Sequence, residues 1–270
     1  MGILTFLLLQ FVTAPFGKHA TPHISKWYGP HLNSRACWMV MEIPNLFQVA
    51  RVLVNRSSSS SSSSGDGCSL ETNFFSIDAW KNPNPYDVLL CLFTVHYVHR
   101  AVIYPLIRMR STQSRPMPLL VCASAFLFCS VNGYLQSESL DMQYNAVIDG
   151  RLKTNRLHEH NFKSGIVLFL LGLGINIYSD EILLRIKRTS GGNYQIPKGF
   201  LFEYVSCPNM FGEIVEWFGF AIACNSVAAF SFAFYTFCNL APRAHSHHRW
   251  YKKNFQDYPM ERKILFLNIW

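Results

Sequence analysis

SCPNMFGEIVEWFGFAIA, residues 206–223, is the most informative stretch of this chain. It is apolar enough for a buried or lipid-embedded helix, yet it carries Asn209, Glu213 and Glu216. Their spacing of four and then three residues puts all three side chains on one face of an α-helix. Because an ionisable group in an apolar helix is costly, it usually faces a partner or a functional cavity. The stretch therefore predicts either polar pairing between helices or a lined cavity.

The composition indicates a membrane protein. Of the 270 residues, 50% are hydrophobic and only 15% are charged, with a mean hydropathy of +0.12, whereas soluble domains carry about 25% charged residues. We predict an all-α, multi-pass membrane helical bundle in a lipid bilayer, with residues 1–270 forming a single domain. The net charge of +8 suits anionic headgroups or a phosphate-bearing ligand. We expect no nucleic acid partner, because the basic residues lie between apolar runs and not on one polar module.

The apolar runs set the number of membrane spans. They cover residues 3–16, 36–54, 88–107, 117–136, 165–184 and 211–240, and the last is long enough for two helices that meet near Asn225. This predicts about seven transmembrane helices. The first run is shorter than the roughly 17–25 residues that a crossing needs, so a short first span and the apolar region of a signal peptide both fit it. Residues 55–86 form a low-complexity insert, whose serine run, Ser57–Ser64, is predicted to be a disordered loop.

The basic residues of the loops predict an orientation. Most of them lie between spans three and four, between spans five and six, and after span seven, which are all on one side of the membrane. The positive-inside rule makes that side cytosolic. The loop at 137–163 then faces the lumen, as does the glycosylation sequon that begins at Asn55.

Three polar clusters interrupt the apolar runs. The first holds Glu42, the second is VHYVHR at 95–100, and the third extends from GINIYSDE at 174–181 to PRAHSHHRWY at 242–251. Carboxylates and amides can accept hydrogen bonds from ribose hydroxyls, while arginines, histidines and tyrosines can donate to phosphates. The clusters therefore favour a nucleotide site that opens to the cytosol.

Other patterns have simpler interpretations. HSHH at 245–248 does not aim its histidines at one point and lacks further ligands, so we expect no metal. The eight cysteines contain no CxxC pair, which predicts free, buried thiols. Gly165, Gly172 and Gly174 belong to no GxGxxG motif and no βαβ pattern, so they are predicted to be close-packing positions between helices.

Long motifs in a fixed order carry a resemblance over most of the chain outside 55–86. They are APFGKH at 14–19, ACWMVMEIP at 36–44, HYVHRAVIYPL at 96–106, NGYLQ at 132–136, GINIYSD at 174–180, YQIPKG at 194–199, SCPNMFGEIVEW at 206–217 and NLAPRAHSHHRWYKKNFQDYP at 239–259. Together they resemble the steroid 5α-reductases, which are 3-oxo-5α-steroid 4-dehydrogenases, and among these the plant enzymes of brassinosteroid synthesis.

The resemblance implies an enzyme of the endoplasmic reticulum membrane that uses NADPH to reduce the C4–C5 double bond of a 3-oxo-4-ene steroid. Glu42 and Tyr97 match the pair that holds the 3-oxo oxygen, where both would donate hydrogen bonds and stabilise an enolate as an oxyanion hole does. The cofactor site would face the cytosol and lie mostly in residues 165–270. The residues that match NADPH contacts are Arg100, Tyr104, Asn176, Asp180, Lys187, Tyr194, Asn209, Glu213, Arg243, His247, Tyr251 and Arg262.

The chain departs from the family pattern at several positions. Phe200 stands at the second glycine of IPxGG, Met210 replaces an aromatic residue, and the C-terminus reads RKILFLNIW. Asn225 replaces another aromatic residue, and Lys187 stands where an arginine is expected. These departures make a weakened or inactive copy an alternative, above all if the glycine replaced by Phe200 has a positive φ.

Other activities stay open from the sequence. A trans-2-enoyl-CoA reductase or a polyprenol reductase of the same superfamily would use the same tyrosine and NADPH. A membrane methyltransferase would bind S-adenosylmethionine and would not need Glu42 and Tyr97, whereas a channel or scaffold would leave the acidic stripe without a role. The preferred steroid (campest-4-en-3-one, testosterone or progesterone) and the oligomeric state are also open.

Overall fold

The computed structural model describes residues 28–62, 84–110, 116–152, 156–191 and 193–266. Within these ranges the chain is all-α, as predicted. Its α-helices are α1 (Ser34–Ser62), α2 (Pro85–Val98), α3 (Leu119–Ile148), α4 (Arg156–Thr189), α5 (Pro208–Cys224) and α6 (Val227–Asn254). A π-helical segment (His99–Arg108) continues α2. Two short antiparallel strands, β1 (His31–Leu32) and β2 (Met117–Pro118), tie the start of α1 to the start of α3.

The start of α2 and its extension follow from local sequence. The side-chain oxygen of Asn84 accepts a hydrogen bond from the backbone N–H of Tyr86 at 3.0 Å, and Pro85 occupies the first turn, where its missing N–H costs nothing. The π-helical segment contains Pro105, which cannot donate a backbone hydrogen bond. π-Helical turns are common at functional sites, and this one carries Arg100 and Tyr104.

The predicted division of the last apolar run is confirmed. Helix α5 ends at Asn225, which adopts the left-handed conformation (φ 49°, ψ 44°) that asparagine tolerates better than most residues. Ser226 then caps α6, because its side chain accepts a hydrogen bond from the backbone N–H of Ala229 at 3.2 Å.

Four helices of the described chain are long and apolar enough to cross a membrane. They are Ser34–Ser58, Pro85–Arg108, Leu119–Ile148 and Glu159–Thr189. Helix α5 has 17 residues, which at 1.5 Å per residue is somewhat shorter than the roughly 30 Å hydrocarbon core. The first predicted span, residues 3–16, lies outside the described residues, so the total of seven stays a prediction.

Two predicted loops are partly helical. Helix α1 continues through the serine run to Ser62, which contradicts the loop predicted there; the hydroxyls of Ser57 and Ser58 donate to carbonyls one turn earlier. Residues 63–83 lie outside the described chain. Helix α3 extends to Ile148, so the first half of the loop predicted at 137–163 is helical as well.

Glycines allow α4 and α5 to approach closely. A Cβ atom on Gly172 would lie 2.3 Å from the backbone nitrogen of Glu216, and one on Gly165 would lie 2.5 Å from that of Ala223. These two close-packing predictions are confirmed, and Gly212 and Gly219 of α5 reciprocate. The prediction for Gly174 is wrong, because a Cβ there would meet nothing within 4 Å.

Aromatic side chains form the core between these helices. Trp217 of α5 is fully buried and contacts the rings of Phe93, Phe169 and Phe220 at centroid distances of 5.9, 6.1 and 5.6 Å. Seven cysteines lie in the described residues, and each is a free thiol; the eighth, Cys68, lies outside them.

Candidate active site

Glu42 and Tyr97 come from different helices and lie in the same site. Glu42 is half-buried in the third turn of α1, and its Oε2 accepts a hydrogen bond from the thiol of Cys129 at 3.6 Å. Tyr97, at the end of α2, is 3% exposed, and its hydroxyl oxygen accepts from Asn132 Nδ2 at 3.4 Å. Cys129 and Asn132 are three residues apart on one face of α3, so the two side chains meet the same part of that helix. Both contacts come from α3, so three helices build this part of the site.

Arg100 is the centre of a charged network one helical turn beyond Tyr97. Its guanidinium lies 3.3 Å from Asp180 Oδ2 and 3.6 Å from Glu213 Oε2. The same guanidinium lies over the rings of Trp38 and Tyr104, at 5.0 and 5.5 Å from their centroids. One cation therefore joins α4 and α5 to the π-helical segment and the start of α1.

Two asparagines complete this network. Asn209 Nδ2 donates to Asp180 Oδ1 at 3.0 Å. Asn176 Nδ2 donates to the backbone oxygen of Asn209 at 2.9 Å and lies 3.5 Å from Glu213 Oε2. The structure thus brings together six of the predicted cofactor residues, which are Arg100, Tyr104, Asn176, Asp180, Asn209 and Glu213.

Glu216 has a different partner from Glu213, the other acidic residue on the same face of α5. It is fully buried, and its Oε1 lies 2.6 Å from Nδ1 of His96. The His96 ring also packs edge-on against Tyr97, with centroids 4.9 Å apart. The polar residues of the 206–223 stretch therefore belong to two sites: Asn209 and Glu213 lie in the charged network, and Glu216 lies in a buried pair behind Tyr97. His96 was not assigned a role from the sequence, although the VHYVHR cluster contained it.

A second group of predicted residues lies at the C-terminal end of the chain. The rings of Tyr251 and Tyr258 stack at 5.4 Å with an interplanar angle of 6°, and Tyr194 packs against Trp250 at 5.1 Å. Arg262 is buried, and its Nη1 donates to the backbone oxygen of Pro197 at 2.8 Å. These contacts join the 193–199 segment, the end of α6 and the C-terminal segment.

Three further predicted residues lie on α6 and at the end of α4. Arg243 of α6 donates to Asn239 Oδ1 at 3.3 Å and forms no ion pair within the part of the chain that the structure describes. His247 follows it by one turn, and Lys187 lies in the last turn of α4, seven residues after Asp180. All three are half-buried.

A buried hydroxyl cluster fixes the C-terminal segment and was missed from the sequence. Ser206 Oγ lies 2.5 Å from His248 Nδ1 and 2.6 Å from Tyr258 Oη, and it is 3.1 Å from the backbone oxygen of Lys263. Burial lowers the pKa of His248 to about 4, and the positive charge of Lys252 acts in the same direction. His248 is therefore neutral at physiological pH and can share a proton with the serine hydroxyl. In the sequence, only the HSHH motif at 245–248 drew attention to His248.

Unpartnered buried polar atoms test whether a dinucleotide fits here. Among the residues that the structure describes, Asn176 Oδ1, Ser179 Oγ, Trp38 Nε1 and Arg262 Nε are buried without a hydrogen-bond partner. Each such atom costs about 1–3 kcal/mol unless a ligand or water satisfies it. Acceptors near the charged network suit ribose hydroxyls or a carboxamide, and the arginines suit phosphates. The residues present therefore fit an NADPH-type cofactor.

The departures from the family pattern have visible structural consequences. Phe200 has φ 53° and follows Gly199 at φ 85°, so the left-handed backbone is present at the position where the family has glycine. Its ring contacts Tyr178 at 4.9 Å and is 43% exposed. Met210 is buried in an apolar cluster with Leu240, where its side chain fills space.

Comparison with known proteins agrees with the motifs. A family model described as 3-oxo-5-alpha-steroid 4-dehydrogenase matches residues 115–270. The chain is 39% identical to 3-oxo-5-alpha-steroid 4-dehydrogenase 1 of Bos taurus over 98% of this chain and 91% of that protein. It is 35% identical to steroid 5-alpha-reductase DET2 of Gossypium hirsutum over 97% and 90%, and 37% identical to the Solanum lycopersicum protein of the same name over 98% and 91%. The chain belongs to the 3-oxo-5-alpha-steroid 4-dehydrogenase family.

Proposed function

We propose that this protein is an oxidoreductase that uses NADPH to reduce the C4–C5 double bond of 3-oxo-4-ene steroids. The observation that carries the proposal is the position of Glu42 and Tyr97 beside the network centred on Arg100. Two hydrogen-bond donors for a steroid oxygen then lie next to residues suited to a dinucleotide. Family membership supports the same reaction.

Glu42 and Tyr97 would act on the 3-oxo oxygen. When a hydride adds to C5, the electrons of the double bond shift towards C4 and the conjugated carbonyl, so negative charge develops on that oxygen. A tyrosine hydroxyl and a protonated glutamic acid aimed at the oxygen stabilise this enolate more than the ground-state ketone. Protonation at C4 then completes the reduction. Tyr97 is buried among Phe93 and Trp217, which keeps its ring in one orientation.

NADPH, when bound, supplies the hydride. The charged network would hold its polar groups through Arg100, Asp180, Asn209 and Glu213, with Asn176 and Tyr104 beside them. The C-terminal group would extend that site, because Arg243 lacks an ion pair within the described residues and Arg262 has an unpartnered buried Nε. Lys187, Tyr194, His247 and Tyr251 complete the proposed set.

The surface supports a location in a lipid bilayer. Large apolar side chains are widely exposed on the candidate spans, for example Phe47 at 67%, Leu127 at 65% and Leu171 at 56%. The protein would be a multi-pass enzyme of the endoplasmic reticulum membrane, with the cofactor side cytosolic as the positive-inside rule predicts. A plant relative named DET2 is consistent with a role in brassinosteroid synthesis.

The test is a product assay in microsomes that contain the full chain. With campest-4-en-3-one or testosterone, we expect a 5α-reduced product with NADPH and much less with NADH. Glu42→Ala and Tyr97→Phe should each lower turnover by about 100-fold, the usual effect of removing one oxyanion-hole donor. Both should leave the affinity for NADPH, measured by cofactor fluorescence, nearly unchanged. A folded wild-type protein that makes no product from either steroid, or a mutant with full turnover, would refute the assignment.

A further inference from the structure

Three side chains on α3 line the back of the Glu42–Tyr97 pair, and we call them the α3 stripe. They are Cys129, Asn132 and Gln136, whose spacing of three and four residues puts them on one helix face. Their exposed fractions are 7%, 4% and 2%. The NGYLQ motif at 132–136 contributed to the family resemblance, but neither the sequence nor the proposed reaction gave it a role.

The first contact of the α3 stripe is with the Tyr97 hydroxyl. Asn132 Nδ2 donates to Tyr97 Oη at 3.4 Å. The opposite end of this amide is fixed, because Gln136 Nε2 donates to Asn132 Oδ1 at 3.2 Å and to the backbone oxygen of Ala228 at 3.0 Å. With its oxygen occupied by a donor, Asn132 presents its own NH₂ group to Tyr97.

This arrangement determines what the Tyr97 hydroxyl can do. A phenol has one proton to donate and can also accept. Since Asn132 offers only a donor, the Tyr97 proton must point elsewhere, which leaves it free for a substrate oxygen. As that oxygen gains charge and draws the proton towards itself, the phenol oxygen gains charge too, and the Asn132 donor stabilises it.

The second contact of the α3 stripe is with the carboxyl group of Glu42. The Cys129 thiol donates to Oε2 at 3.6 Å. This leaves Oε1 as the oxygen that can carry a proton towards the substrate. The short reach of the Cys129–Glu42 contact depends on Gly133, where a Cβ would lie 2.8 Å from Asn45 Cα of α1. A larger residue at this position would push α1 and α3 apart.

We propose that the α3 stripe is a positioning device that aims both hydrogen-bond donors of the active site at the 3-oxo oxygen. Asn132 and Cys129 act through Tyr97 and Glu42, and Gln136 holds Asn132 in its orientation. The inference rests on the proposed reaction and adds three residues to it.

The first experiment replaces the donor of Asn132 with an acceptor of the same shape. Asn132→Asp should lower steroid turnover by about tenfold or more, since one hydrogen bond is lost and a second acceptor faces Tyr97. The KM for NADPH should stay within about twofold of wild type, because the cofactor network lies on other helices. Asn145→Asp is the matched control, since Asn145 lies on the same helix but is exposed and hydrogen-bonded to Asp141, and it should leave turnover unchanged.

A double-mutant cycle separates positioning from a merely structural role. If Asn132 acts through the Tyr97 hydroxyl, Asn132→Asp should change the residual turnover of Tyr97→Phe by less than about twofold. Additive losses would overturn the inference. Cys129→Ala and Cys129→Ser give a second test without a buried charge: the alanine variant should lose turnover, while the serine variant keeps a donor and should retain most of it. Equal activity in these two variants would contradict the role of the thiol.

A spectroscopic measurement distinguishes a failure of the α3 stripe hypothesis from a failure of the proposed function. The carbonyl stretching frequency of a bound steroid labelled with ¹³C at C3 reports hydrogen bonding to the 3-oxo oxygen without turnover. It should be lowered in wild type and shift back towards the free value in Asn132→Asp. An equal lowering of this frequency in wild type and in Asn132→Asp refutes the role of the α3 stripe alone. A wild-type protein that binds no 3-oxo-4-ene steroid refutes the proposed function, and the inference with it.

Discussion

The contact between α4 and α5 can be tested with two alanine substitutions that lie two residues apart. In Gly172→Ala the new Cβ would lie 2.3 Å from Glu216 N and 2.6 Å from both Glu216 Cα and Gly212 O. All three atoms are backbone, so the helices themselves must separate by about 1 Å to restore ordinary contact distances. Overpacking of this kind costs about 1–3 kcal/mol, whereas the better helix propensity of alanine returns at most about 1 kcal/mol. We expect a clear net destabilisation.

Gly174→Ala is the matched control, because its Cβ would meet nothing within 4 Å. It should be neutral or slightly stabilising. The assay is thermal unfolding in detergent, followed by product formation in microsomes. Gly172→Ala should also weaken NADPH binding, since α4 carries Asn176 and Asp180 while α5 carries Asn209 and Glu213. Equal melting temperatures for the two variants would refute the packing argument.

Three further perturbations follow from single contacts. Phe200→Gly should raise the free energy of unfolding by at most about 1 kcal/mol, because the strain of the left-handed backbone (φ 53°) is relieved but the ring contact with Tyr178 is lost. A large decrease in the melting temperature of this variant would contradict the prediction. Glu216→Ala should destabilise the fold by about 1–3 kcal/mol, because it leaves a ring nitrogen of buried His96 without its hydrogen-bond partner, and Glu216→Gln by less; equal losses would argue against the pair. The third perturbation is a change of pH, which acts through His248. Its pKa of about 4 in the folded protein lies below its ordinary value, so between pH 6.5 and 5 the unfolded chain binds a proton at this histidine that the folded chain does not. The free energy of unfolding should therefore fall by roughly 1–2 kcal/mol as the pH is lowered from 6.5 to 5. His248→Gln should flatten that dependence of the melting temperature on pH, and an unchanged slope would refute it.

Much of the helical framework could be predicted from local sequence, because each feature depends on nearby residues. The apolar runs at 36–54, 88–107, 117–136 and 165–184 all correspond to candidate spans. The division at Asn225 was also predictable, since a single helix through the last run would exceed the bilayer. The serine run was not: composition predicted a loop, but α1 continues to Ser62, because adding residues to a helix that is already formed avoids the cost of nucleation.

The identity of the site residues came from motifs, and their arrangement came from packing. The spacing of Asn209, Glu213 and Glu216 placed them on one face, which holds in the structure. It could not assign Glu216 to His96 and Glu213 to Arg100, because one face of a helix is wide enough to meet two neighbours. Which neighbour each residue meets depends on how the helices rotate and cross.

The contacts of the α3 stripe and of the buried hydroxyl cluster around Ser206 also depend on helix packing, because they join residues that are far apart in the sequence. Asn132 and Tyr97 are separated by 35 residues, and Ser206 and Tyr258 by 52, so no periodicity within one helix relates them. Sequence periodicity specifies which direction a side chain takes from its own helix axis. Close helix approach at glycines such as Gly133 and Gly172 then sets the distances between axes, and those distances determine which polar groups can form hydrogen bonds.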